Sequence, residues 1–110
     1  MKGSYLGEFQ EIVLLAILVL GDAAYGVSIQ EEISRRANRS VSRGALHTAL
    51  SRLSDKSYIS SYMGGATAER GGRRKRFFKV TKNGNLALTT ARELRNKMWE
   101  DIPALSFNSK

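Results

Sequence analysis

A chain of 110 residues with 42% hydrophobic and 25% charged residues is predicted to form one globular domain, and this balance favours a folded main body over a disordered one. The lack of cysteine excludes disulfides and thiolate metal sites, and the longest apolar run, Ile12 to Leu20, is shorter than the roughly 20 residues of a membrane span. The N-terminus has no signal-peptide pattern, so we expect a cytoplasmic protein.

Positive charge is concentrated in the middle of the chain. The net charge is +8, yet between Arg35 and Lys82 thirteen basic residues stand against two acidic ones, Asp55 and Glu69, and the remainder is net negative. A basic block within a globular chain is typical of a surface that binds a polyanion, above all nucleic acid. A solvated basic surface without a partner is the alternative at this point.

The first predicted helix spans about Leu6 to Leu20 and carries Glu8 and Glu11 near the positive end of its dipole. Its residues are apolar on nearly every face, which is typical of a helix that is buried all round. One core of this size rarely covers both sides of a helix. We therefore expect a second subunit to cover one side.

A second helix is predicted at Gly26–Ala37, after a connector that begins with Gly21. Its inward residues are expected to be Val27, Ile29 and Ile33. Four charged residues are expected to face water: Glu31, Glu32, Arg35 and Arg36.

A third helix is predicted from Arg43 to about Lys56, with Ser42 as a favourable N-cap. An apolar stripe follows helical spacing, and the opposite face is polar and basic. The stripe consists of Leu46, Ala49, Leu50 and Leu53. Two short helices, the second with a basic outward face, are typical of a helix-turn-helix.

Two strands and a last helix complete the prediction. The strands, Tyr58–Met63 and Arg76–Thr81, flank a basic, glycine-rich loop and so predict a hairpin wing. The last helix starts near Lys82 or Asn83, and Pro103 is expected to end or disturb it. The expected fold is mainly α with a small β-hairpin: a winged helix-turn-helix domain over residues 1–81, and a C-terminal helix and tail over residues 82–110.

In this order of elements the sequence resembles the PadR family of bacterial transcriptional regulators, over about Leu6 to Leu94. The resemblance rests on a set of short stretches at family-like spacing: 6–9, 20–27, 44–46, 50–53, 71–81 and Gly84. It implies a homodimer in which the C-terminal helix packs across the partner's first helix, in the short type with one such helix. It also implies repression of transcription, relieved in some members by a small aromatic molecule. The chain departs from the family where it has His47 for tyrosine, Thr48 for proline and Ser57 for glycine.

A helix of this kind enters the major groove and reads base edges with its N-terminal half. We expect Ser42, Arg43, His47 and Thr48 to lie closest to DNA, with Arg43 on guanine or phosphate and Arg52 on phosphate. The wing residues expected at the backbone or minor groove are Arg70, Arg73, Arg74, Lys75 and Arg76.

Three aromatic or imidazole side chains leave alternatives open. Tyr25 is expected in the core, or as a phosphate donor. His47, the only histidine, cannot form a metal site alone, and its charge could tune DNA affinity near neutral pH. Trp99 is expected in the dimer interface, or as a wall of an effector pocket. No metal or cofactor is expected.

The sequence predicts a homodimeric, sequence-specific regulator, expected to repress from a near-palindromic operator. An enzyme is not expected, because the chain lacks paired carboxylates and a phosphate-cradling glycine motif. The alternatives are a winged-helix module that binds protein or RNA and a protein that coats DNA without specificity. Operator, regulated genes, effector and the sign of regulation do not follow from the sequence.

Overall fold

The structure, a computed structural model, describes residues 6–64 and 74–104. Three helices come first, α1 (Glu8–Leu20), α2 (Gly26–Ala37) and α3 (Arg43–Asp55), and a short 3-10 turn joins the first two. An antiparallel hairpin of β1 (Ile59–Gly64) and β2 (Lys75–Val80) follows, and α4 (Lys82–Glu100) comes last. This order confirms the predicted winged helix-turn-helix with an added C-terminal helix.

Helix α1 is the centre of the core. Its residues Val13, Leu14 and Ile17 are almost completely buried against the other elements. The opposite side is apolar but uncovered within this chain: Leu15, Leu18 and Val19 are 46%, 46% and 57% exposed. Gly21 ends the helix at a φ of 60°, a conformation that glycine adopts without a steric penalty.

Helix α2 has the bounds that the sequence predicts. The amide of Tyr25 donates to the Ser28 hydroxyl over 2.9 Å at its start, and Asn38 ends it in the left-handed conformation. Ile29 and Ile33 are buried, as expected.

Two expected orientations on α2 are wrong. Val27 does not face inward but is 45% exposed at the edge of a cleft. Glu32 does not face water but is buried, because the side chains of Arg35 and Arg36 both bind its carboxylate. The two guanidiniums shield this carboxylate, and their hydrogen bonds and charge, that of Arg36 first, lower the pKa of Glu32.

Helix α3 begins at the predicted cap, where the Ser42 hydroxyl accepts a hydrogen bond from the Ala45 amide over 3.0 Å. The four residues of its apolar stripe are all buried, so its other face is left to solvent: Leu46, Ala49, Leu50 and Leu53. Beyond its end, Ser57 adopts a φ of 65°. That left-handed conformation explains physically why glycine suits this position.

The wing is held at its base by the start of α2. The Phe78 amide donates to the Ala24 carbonyl over 2.9 Å, and Tyr25 and Phe77 form an isolated bridge beside β2. Each strand lies within one residue of its predicted position. The hairpin therefore gains a third, very short edge segment that fixes its direction.

Helix α4 starts at the base of the wing, beside the end of α3. The Thr81 amide donates to the Tyr58 carbonyl over 2.9 Å, and the Thr81 hydroxyl donates to the Ser57 carbonyl over 2.7 Å. Gly84 is buried in the first turn and Leu88 in the second, whereas every residue from Arg92 to Glu100 is exposed. The helix ends at Glu100, three residues before Pro103. Within the described ranges, none of the helices is long and apolar enough to cross a membrane.

Candidate nucleic-acid interface

The outward face of α3 carries the residues that the sequence predicts at DNA. Arg43, His47, Thr48 and Arg52 are all exposed. Ser42 is exposed as well, but its hydroxyl oxygen already caps the helix. Its hydroxyl hydrogen remains available to donate.

These residues divide into two groups by position around the helix. Arg43 and His47, one turn apart, line a cleft between α3 and the wing. Thr48 and Arg52 do not line it and lie on the other exposed side of α3. The predicted set therefore covers a strip around the helix, of which only one edge faces the wing.

The described part of the wing adds three of the predicted cations, and β2 also carries the exposed Lys79. Lys75 and Arg76 line the same cleft, and Arg74 is exposed just before β2. The Arg76 guanidinium donates to the Ser61 hydroxyl over 3.0 Å, which holds it across the hairpin. The predicted residues Arg70 and Arg73 lie outside the described residues.

The cleft has a volume of about 730 Å³. Its three walls come from the start of α2, the outward edge of α3 and one face of the wing. Besides the predicted residues Arg43, His47, Lys75 and Arg76, and Tyr25, for which the sequence left contact with phosphate open, its lining includes residues that the sequence did not indicate for the site: Gly26, Val27, Gln30, Leu46, Leu50, Ser51, Ser54, Asp55, Ser61 and Phe78. For α3 the signal was present, because positions 43, 47, 51 and 55 follow one another at helical spacing.

Tyr25 is neither a core residue nor a freely exposed one. It is half-buried, its ring meets Phe77 edge-on at 5.5 Å, and the Lys75 ammonium lies 4.0 Å above it. Phe77 in turn stacks on Tyr62 at 5.6 Å. This row of rings braces the wing against α2 and presents a cation–π pair at the cleft.

Among residues 6–64 and 74–104, no carboxylate forms an ion pair with the cations of this surface. The four ion pairs found among residues 6–64 and 74–104 all lie on α1, α2 and α4 or at the end of α4. Arg43, Arg52, Lys75 and Arg76 form no ion pair with any described carboxylate. Unpaired cations on the exposed sides of α3 and on the wing produce a positive potential suited to phosphates.

Trp99 lies on a different surface. It is 60% exposed near the end of α4 and borders a second groove, of about 360 Å³, between α1 and α4. Leu15 and Leu18 line the same groove, and a bond of 2.5 Å between Arg95 and Glu11 crosses it. Three exposed apolar side chains, Leu15, Leu18 and Trp99, therefore border a groove whose remaining lining is mostly polar.

Metal chemistry finds no support in the described part of the chain, where no group of three or more histidine, cysteine or carboxylate residues could hold an ion.

Comparison with known proteins agrees with this geometry. A sequence model of the transcriptional regulator PadR-like family matches residues 14–90, more than half of the chain. No curated protein is significantly similar in sequence.

Solved structures share the fold at low sequence identity. A transcriptional regulator from Clostridium thermocellum superposes with a TM-score of 0.68 at 22% identity, over 92% of each chain. A PadR family regulator from Clostridium difficile superposes with a TM-score of 0.66 at 24% identity, over 84% of this chain and 92% of that one. A PadR-like transcription factor from Bacteroides fragilis gives 0.68 at 21% identity, over 84% of both. The chain belongs to the PadR-like family of transcriptional regulators, whose members are DNA-binding transcription factors and not enzymes.

Proposed function

We propose that this protein is a homodimeric repressor that binds a near-palindromic operator, with α3 in the major groove and the wing on the flanking backbone. The observation that carries the proposal is the set of cations on α3 and the wing that no described carboxylate neutralises. Major-groove width admits one helix, and the N-terminal half of α3 is the part that carries Arg43 and His47.

The uncovered apolar surfaces support the dimer. Leu15, Leu18 and Val19 on α1 and a row on α4 are exposed in the single chain, and large contiguous apolar patches are rare on monomers. The α4 row consists of Leu86, Leu94, Met98 and Trp99. Pairing α4 of one subunit with α1 of the other would bury both sets.

We assign the two parts of the chain different roles. Residues 1–81 would hold the DNA-reading surface, and residues 82–110 would provide dimerisation. A two-fold axis between the α4 helices would place two copies of α3 in successive major grooves, about 34 Å apart. The operator is then a pair of inverted half-sites about one helical turn apart.

An effector site belongs to the same proposal. The groove beside Trp99 lies where the second subunit would cover it, so a flat aromatic molecule could be enclosed between subunits. Its binding would change the relative position of the two α3 helices and weaken DNA binding. Dimer packing by Trp99 without any effector is the simpler alternative.

The experiment is an anisotropy titration of the DNA upstream of the protein's own gene, with random DNA as competitor and several salt concentrations. Binding that resists competitor, with two subunits per site and a steep salt dependence, would support a sequence-specific dimeric regulator. Transcription of the same promoter in vitro, with and without the protein, tests repression.

Two other functions give different outcomes in that titration. Equal binding to every DNA would indicate a nonspecific coating protein. If the protein does not bind DNA, or if its DNA binding depends little on salt, the result would favour a winged-helix module that binds protein or RNA. The duplex RNA reading is disfavoured because its deep, narrow major groove does not admit a helix.

A further inference from the structure

The cleft between α2, α3 and the wing contains more apolar surface than a DNA backbone can use. Leu46 and Leu50 form part of its floor and are buried, while Phe78 and the exposed Val27 line its sides. The outside of a DNA duplex presents phosphates and sugars. An apolar floor beside cations therefore fits a ligand that has a flat ring as well as an anionic group.

The cationic edge of the cleft is suited to a phosphate. Arg43, Lys75 and Arg76 line it, and within the described chain no carboxylate pairs with any of them. Lys75 also lies 4.0 Å above the ring of Tyr25, so a cation and an aromatic ring occupy the same wall. Arginine and lysine beside an aromatic surface form a common arrangement for binding nucleotide phosphates and bases.

Asp55 is the residue that DNA binding does not explain. It lines the cleft at the last residue of α3, where a negative charge is unfavourable with the helix dipole. Its carboxylate forms no hydrogen bond or ion pair with any residue in 6–64 or 74–104. A carboxylate repels a DNA phosphate but accepts hydrogen bonds from ribose hydroxyls or from a base amino group.

We propose that this cleft binds a nucleoside monophosphate. The phosphate lies at Arg43, Lys75 and Arg76, and the base lies on the apolar floor. Asp55, at the opposite end of α3 from Arg43, accepts a hydrogen bond from the amino group of the base. The volume of about 730 Å³ falls within the usual range of small-molecule sites. One consequence, that the nucleotide competes with operator DNA for the same cations, rests on the function proposed above.

Binding is tested on the full chain without DNA, by calorimetry and by NMR shift mapping with adenosine monophosphate, adenosine and inorganic phosphate. We expect the monophosphate to bind at least about tenfold more tightly than phosphate or adenosine alone, and to shift residues of the cleft. Equal affinity for the monophosphate and phosphate would overturn the proposal, because it would indicate charge attraction only. So would shifts confined to residues outside the cleft.

The variant Asp55→Asn distinguishes nucleotide binding from DNA binding. We expect it to lower the affinity for the monophosphate about tenfold. Its affinity for operator DNA should be equal or higher, since a negative charge is removed from a phosphate-binding face. Lys97→Gln, at an exposed site on α4 outside the cleft, is the matched control and should change neither. Unchanged monophosphate affinity in Asp55→Asn would overturn the proposal.

Competition distinguishes the two proposals. Release of operator DNA by the monophosphate, but not by adenosine, is the expected result. Nucleotide binding to the cleft by a protein that fails to select any operator would contradict the proposed repressor and leave the nucleotide site established. Operator binding by a protein that does not bind the nucleotide would contradict the nucleotide site and leave the proposed repressor standing.

Discussion

The carbonyl oxygen of Tyr58 occupies the space that a Cβ atom on Gly84 would need. A methyl group there would overlap this backbone oxygen and approach Val80 Cγ1 to 2.8 Å. The same carbonyl accepts the hydrogen bond from the Thr81 amide. The first turn of α4 can therefore lie against the end of α3 only because residue 84 has no side chain.

Gly84→Ala is expected to lower the free energy of unfolding by about 2 kcal/mol, because backbone must shift to admit the methyl group. Thermal unfolding followed by circular dichroism measures the change. Gly44→Ala is the control: a Cβ there meets nothing within 4 Å, so the helix propensity of alanine should raise stability by up to about 1 kcal/mol. Equal stability of the two variants would contradict the steric argument.

Ser57→Gly is expected to stabilise the fold, because Ser57 holds a left-handed φ of 65° that costs a residue with a side chain about 1 kcal/mol. Part of the gain is offset by the greater freedom of glycine in the unfolded chain. Urea unfolding of the variant should give a higher midpoint with an unchanged slope. Ser57→Ala, which keeps the Cβ, should show no gain, and a gain equal to that of glycine would count against a backbone cause.

Acid stability should depend on Glu32. The hydrogen bond from Arg36 and the charges of Arg35 and Arg36 lower the pKa of this carboxyl in the folded protein. Its contribution to stability is then fully present above the pKa of an unfolded glutamate and is lost as pH falls through the lower, folded pKa. In Glu32→Gln, the fall in unfolding free energy between pH 5 and pH 3 should be shallower than in the parent.

Glu31 provides the comparison for that experiment, since it is exposed and precedes Glu32 on the same helix. Glu31→Gln should retain the acid dependence of the parent protein. If the two glutamine variants behave alike, the arginine contacts do not contribute to the pH dependence.

Removing one cation of the cleft should weaken operator binding. Arg43→Gln is expected to lower affinity and, if it contacts a phosphate, to reduce the slope of log affinity against log salt by about 1. Lys97→Gln removes one charge from α4 and should leave both quantities unchanged. A salt dependence that is identical in Arg43→Gln and the parent, with lower affinity for the operator alone, would assign Arg43 to a base instead.

The oligomeric state should depend on the end of α4. Leu94 is 61% exposed in the single chain. In analytical ultracentrifugation we expect the parent protein to sediment as the dimer proposed above and Leu94→Glu to sediment as a monomer, with an unchanged circular dichroism spectrum. Glu93→Gln, next to it and also exposed, should remain dimeric. A dimer in both variants would place the interface elsewhere.

Local patterns in the sequence predicted most of the fold and only part of the candidate site. The bounds of α2 and the cap of α3 follow from short-range chemistry at Gly26–Ala37 and Ser42. The burial of Glu32 does not, because it depends on where two arginine side chains turn. Nor does the place of Tyr25, whose partners Phe77 and Lys75 lie about fifty residues along the chain.

Hydrogen bonds from Thr81 to Ser57 and Tyr58 attach the start of α4 directly to the residues that follow α3. Two hydrogen bonds and a glycine contact fix the inner end of α4, whereas its outer half is exposed and reaches α1 through the bond between Arg95 and Glu11. The helix has 19 residues and is roughly 28 Å long, so a tilt of about one degree at the junction moves the far end by about 0.5 Å. A displacement of that size at the far end of α4 would correspond to a tilt of about one degree at the end of α3, because hydrogen bonds join Thr81 directly to Ser57 and Tyr58.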